Sequence, residues 1–157
     1  MMLLRRGMSR TGSLSRPPGC TTTSIREWTM DLALWIAAGL LAAVAVTGGL
    51  SKTFVPKHRL ETMPGAGWTA NARAGFVKTL GVLELLAAVG LILPAAVGVA
   101  PVLVPVTAVC WVLLMIGAMI THGRLGEPRL AAVNLVYLAV AAFIAWGRFG
   151  PASFGAV

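Results

Sequence analysis

Four polar side chains stand out because the sequence around them is apolar. The first is Glu84, near the middle of Gly81–Pro94, GVLELLAAVGLILP, a run with no other charge. Hydrocarbon holds no water to solvate an ion, so a carboxylate in a membrane-length run marks a functional site by default. Such a group has three options. It donates a hydrogen bond as the neutral acid, relays protons, or pairs with a cation such as Lys52. The competing structural reading is a neutral Glu that ties two helices together. Glu84→Gln separates them, because Gln keeps the shape and the hydrogen bond but cannot ionise.

The other three residues are Lys52, His122 and Asn134. Lys52 continues a stripe of Ala38, Ala42, Ala45 and Gly49 at helical spacing, which turns it toward neighbouring helices. The alternative is a boundary lysine that snorkels to the headgroups. His122 ends an apolar run beside the polar turn Gly123–Arg129. The only other histidine, His58, is in a loop, and no carboxylate–histidine cluster has ligand spacing, so no metal is expected. A hydrogen-bonded interfacial histidine is the simpler reading. Asn134 lies about one turn inside the last apolar run and is suited to an interhelical hydrogen bond. The chain carries no nucleophile elbow, phosphate-binding glycine loop or zinc motif. No catalytic residue is assigned, and no cofactor is evident from a motif.

The elements that hold these residues follow from composition. Of 157 residues, 57% are hydrophobic and only 11% charged, with a mean hydropathy of +0.84. Soluble domains average about 25% charged residues, so the expected solvent for this surface is a lipid bilayer. The net charge of +8 does not point to nucleic acid. Its lysines and arginines sit at the ends of apolar runs, where they mark a membrane interface, with no basic stripe interleaved with aromatics. Cys20 and Cys110 form no CxxC. Cys110, inside an apolar run, reads as a small packing residue.

A crossing helix needs about 20 apolar residues. Four runs qualify, at about 32–50, 75–93, 101–120 and 130–146. The fold expected is all-α, a membrane-embedded four-helix bundle over residues 30–150. A disordered basic tail at 1–29, rich in Ser, Thr, Pro and Gly, precedes it, and a short tail at 151–157 follows. Membrane-like sequence starts directly after Met30, so translation is expected to begin there. Residues 51–74 are the one long connection, broken by Pro56, Pro64, Gly65 and Gly67. Their mixture of apolar and charged residues suits a segment on the headgroup layer or a lid.

Four crossings put the ends of spans one and three and the starts of spans two and four at one end of the bundle. That end gathers the candidate site Lys52, Glu84, His122 and Asn134, the last with its polar turn; the opposite end has only Asp31 and Arg148. From Met30, the 51–74 and 121–129 loops with their flanks hold seven Lys and Arg, against Arg148 alone on the other side. The positive-inside rule then puts both loops in the cytoplasm. Residues 1–29 add five arginines to the opposite side and nearly cancel the bias.

Several segments together resemble the DoxX-like family of small bacterial inner-membrane proteins. They are Gly49–Lys52, the stretch Val77–Leu86, Gly117–His122 with Gly126-Glu127-Pro128, and Asn134 followed by Trp146–Gly150. The resemblance implies a compact, multi-pass four-helix bundle in the cytoplasmic membrane. It also implies a membrane subunit of a quinone-linked or oxidative-stress redox complex, with quinone as a ligand and a soluble oxidoreductase as partner. It carries no cofactor motif residue by residue. A non-catalytic membrane scaffold and a small proton-coupled transporter using Glu84 remain as alternatives.

Overall fold

The computed structural model describes residues 22–154, with side chains from residue 25 onward. Helix α1 spans Thr22–Phe54, α2 Lys57–Leu60, α3 Ala74–Ala96, α4 Leu103–Arg124 and α5 Pro128–Phe149, with a 3₁₀ turn at Gly67–Asn71. Among the described residues, α1, α3, α4 and α5 are long and apolar enough to cross a bilayer. Each crossing is longer than the hydropathy pattern indicates. The extension is largest in α1, where Thr22–Thr29, expected in the tail, are helical and run through Met30 without a break. The rest of that expected tail, Cys20 included, lies outside the described residues. Helix α3 also continues through Pro94 to Ala96, so the Gly90 carbonyl there forgoes its partner in the ladder.

The helices form a ring in the order α1, α3, α4, α5, with α1 against α3 and α4 against α5 as the two closest pairs. Small residues allow the first close approach. A Cβ at Gly81 would lie 2.5 Å from Thr53 Oγ1 and 2.9 Å from the Gly49 carbonyl oxygen, so the α1 and α3 backbones touch there. The α1 stripe of Ala38, Ala42, Ala45 and Gly49 is buried throughout. On α3 the buried residues are Val77, Gly81, Glu84, Ala88, Leu91 and Pro94, one face at helical spacing.

The α4–α5 hairpin is set by its turn. Gly126 has φ +70°, the left-handed conformation that glycine adopts without cost. The Glu127 N–H then bonds the His122 carbonyl at 2.9 Å and the Gly126 N–H that of Gly123 at 3.2 Å, a Schellman motif. Pro128 starts α5 at a position where its missing N–H is no loss.

The core occupies one half of the bundle. It joins Ala38–Ala45 of α1, Ala88 and Leu91 of α3, Val104–Met115 of α4 and Ala141–Ala145 of α5. We call this the far end. The other half, nearest the 55–73 connection and the 125–127 turn, contains a cavity. Cys110 is exposed and faces outward, not inward as a packing residue. Since α4 is apolar all round, periodicity could not tell its two faces apart.

Candidate functional site

The cavity has a volume of about 940 Å³ and reaches residues of all four long helices and the connection. It brings together Lys52, Glu84, His122 and Asn134. Lys52 and Glu84 meet because side chains tilt toward the N-terminus of their own helix. Lys52, near the end of α1, reaches down into the bundle; Glu84, inside antiparallel α3, reaches up toward the loops. Lys52 Nζ donates to both Glu84 carboxylate oxygens, at 2.7 and 2.8 Å. Glycine makes the room: a Cβ at Gly48 would lie 2.9 Å from Glu84 Oε2. Glu84 is 8% exposed. This geometry selects the ion pair from the options open to Glu84 in the sequence, and it leaves Lys52 one N–H beyond the two it gives to the carboxylate.

His122 stands across the cavity in the last turn of α4 and is also buried. Its Nδ1 lies 2.7 Å from Glu127 Oε2, and the Schellman turn fixes that carboxylate by holding the Glu127 backbone to His122. A carboxylate on Nδ1 orients an imidazole and leaves Nε2 for other work. Nε2 makes no hydrogen bond among the described residues. Asn134 of α5 lines the same wall, one turn from Tyr137. Among the described residues no three His, Cys, Asp or Glu side chains converge as a metal site would require.

The connection folds over the cavity. Pro64, Gly65, Trp68, Asn71 and Ala72 line its mouth. Leu60 and Thr69 are buried beneath the connection. Lys57 Nζ pairs with Glu61 at 3.2 Å and donates to the Ala70 carbonyl at 3.2 Å, which ties α2 to the 3₁₀ turn.

Sequence reasoning missed three features. It grouped Glu127 with a polar turn and not with His122, although a glycine such as Gly126 commonly ends a helix in the left-handed conformation and brings the next residue back over the last turn. It did not identify Trp68 and Tyr137 as cavity residues. It also treated Asp31 and Arg148 as separate interface charges, whereas Arg148 is 5% exposed and bonded to Asp31 through Nη1. The signal was their common end in an antiparallel bundle. The Arg148 guanidinium also lies 4.1 Å from the Phe154 ring centroid and 5.6 Å from that of Trp35.

No curated protein and no solved structure matches the chain. The DoxX-like family model matches residues 36–144, well over half of the sequence. That range takes in α3 and α4 whole, most of α1 and α5, the connection and every cavity residue named above. With four membrane-crossing helices around a polar cavity, this is a multi-pass membrane protein, and the chain belongs to the DoxX-like family.

Proposed function

We propose that the protein is the membrane subunit of a quinone-linked redox complex in the cytoplasmic membrane, with its loops on the cytoplasmic side. The observation that carries this reading is the cavity, where apolar walls meet convergent polar groups. Ligand sites of about 300–1,000 Å³ with mostly apolar walls and a few placed polar groups are the usual form for small molecules. A quinone head presents two carbonyl oxygens, both acceptors. The remaining Lys52 N–H, His122 Nε2 when protonated, the Asn134 amide and the Trp68 indole N–H are suitable donors around one space. The aromatic walls Trp68, Phe76 and Tyr137 suit a planar ring.

A quinone supplies two-electron chemistry: two electrons and two protons convert it to the quinol. The electrons would come from a soluble oxidoreductase partner at the loop end, where Lys57, Arg59, Arg73, Arg124 and Arg129 form a basic rim for an acidic surface. His122 faces the cavity and would deliver one proton as the imidazolium; the Lys52–Glu84 pair would deliver the other, Lys52 passing its proton through the Glu84 carboxylate. Glu127 would hold the imidazole in orientation, and Lys52 would keep Glu84 aimed at the cavity.

A scaffold reading is favoured by one observation, the complete matching of Glu84 by Lys52, which ties α1 to α3. A proton-coupled transporter needs a second opening, and the core and the Arg148 cluster close the far end in this structure. The experiment is affinity purification from native membrane in mild detergent, with mass spectrometry of proteins and lipid-soluble molecules. A co-purifying oxidoreductase or quinone is expected. A protein that emerges alone and empty overturns the redox reading in favour of the scaffold.

A further inference from the structure

Part of the cavity lining is also exposed on the outer surface of the bundle. Helices α3 and α4 touch toward the far end, where a Cβ at Gly90 would lie 2.5 Å from Thr107 Oγ1. Toward the loops they part. Phe76 and Leu80 of α3 line one side of the gap, and Leu113, Gly117 and Thr121 of α4 line the other. Phe76 is 57% and Leu113 64% exposed, so each faces both the cavity and the outer surface. Leu113, Gly117 and Thr121 are four residues apart and form one edge of α4, about 12 Å long at the helical rise. The Thr121 hydroxyl donates back to the Gly117 carbonyl at 2.9 Å, so this edge offers lipid no free donor. At its middle a Cβ on Gly117 would meet no atom within 4 Å.

We infer that this slot between α3 and α4 is a lateral portal through which the head of a membrane-dissolved isoprenoid quinone reaches the cavity, its tail remaining in the slot. The identity of the ligand rests on the proposed function; the slot rests on the geometry of the two helices. The polar groups lie on the inner wall and the slot edges are apolar, which matches an amphiphile with its head inside and its chain in lipid. A route through the loop mouth would draw the apolar chain through water, at a cost proportional to its area.

The test uses the full chain in vesicles and reads the fluorescence of Trp68, isolated as the difference from Trp68→Phe. Phospholipid brominated at mid-chain is expected to quench Trp68. Gly117→Phe, which fills open space, should remove at least half of that quenching, and Leu113→Ala should increase it. Quenching that is absent, or indifferent to both substitutions, overturns the portal. A decyl-tailed quinone and its tail-less head group then test the ligand. Gly117→Phe should slow quenching by the tailed quinone at least ten-fold and leave the tail-less head unchanged; equal rates in variant and wild type, or equal slowing of both probes, overturn the portal. If neither quinone quenches wild-type Trp68, the quinone reading fails and takes this ligand with it, while the brominated lipid still decides the slot.

Discussion

The two ends of the bundle each set a cation against a carboxylate with one member of the pair buried, yet they are built for different purposes. At the far end Arg148 is enclosed. Its Nη1 bonds Asp31 and the Ala152 carbonyl, its guanidinium lies over Phe154 and Trp35, and the close Gly147–Leu34 packing is beside it. The cavity at the loop end does not reach it. At the loop end Lys52 and Glu84 satisfy one another but border a cavity, with His122 and Asn134 on its other walls. A buried charge therefore does not by itself mark a site. The mark is a buried charge with spare hydrogen-bonding capacity facing space.

Substitutions at three positions test that contrast through stability, read as the midpoint of SDS-induced unfolding in mixed micelles. The largest effect is expected for Glu84→Ala. It leaves the part-buried Lys52 without a partner; breaking a fully buried pair from one side costs about 3–5 kcal/mol, and the loss here should fall toward the lower end because Lys52 keeps contact with the open cavity. Glu84→Gln should recover most of that loss while removing the proton function, so normal redox coupling in that variant would count against the proposed role. Next is Gly81→Ala. Its methyl would meet Thr53 and the Gly49 backbone, and overpacking of this kind costs about 1–3 kcal/mol. The joint between α1 and α3 opens, and the Lys52–Glu84 geometry should loosen with it. Arg148→Ala comes third. Asp31 is half exposed, so water takes over from the guanidinium; the loss is the contact with two aromatic rings, about 1–2 kcal/mol. Ligand binding should be unchanged in Arg148→Ala. A loss of binding there would dissolve the distinction between the two ends.

Much of this arrangement was readable from residue types, and the parts that were not have physical causes. The α1 stripe ending in Lys52 and the placement of Glu84 on a small-residue face both follow from helical spacing, because small residues in lipid mark close contact. The inward direction of Lys52 also follows from the stripe, although snorkelling to the headgroups is the favoured reading from the sequence alone. The Asp31–Arg148 pair was missed, since a common end of the bundle does not by itself bring together residues 117 positions apart, at two span ends where single charges are ordinary. Phe154 folds back edge-on to Trp35, with centroids 6.4 Å apart, in a stretch too short for any period to show. The start of α1 at Thr22 was hidden for another reason. Ser, Thr and Arg are poor membrane residues but acceptable helical ones, and hydropathy sees only the first property. The cavity depends on where the helix pairs part, which sequence periodicity does not encode.

The smallest effect is expected at Glu127, and it sharpens the comparison most. This carboxylate accepts from His122 at 2.7 Å, but it is one-third exposed, and such pairs contribute about 0–1 kcal/mol. Glu127→Gln preserves the length of the side chain and an acceptor for Nδ1, and the Schellman turn still holds residue 127 to the end of α4. Unfolding midpoints should therefore change by less than about 0.5 kcal/mol. The histidine should change more than the fold. An ionised carboxylate can only accept, which fixes the proton on Nδ1, whereas an amide can also donate, so the ring nitrogens of His122 in the variant should report a mixture of tautomers by 15N NMR. Unchanged ring-nitrogen signals would mean that the backbone turn alone orients the ring and that Glu127 is no more than part of a polar loop. The loop end would then resemble the far end, a charge matched for stability with no function attached.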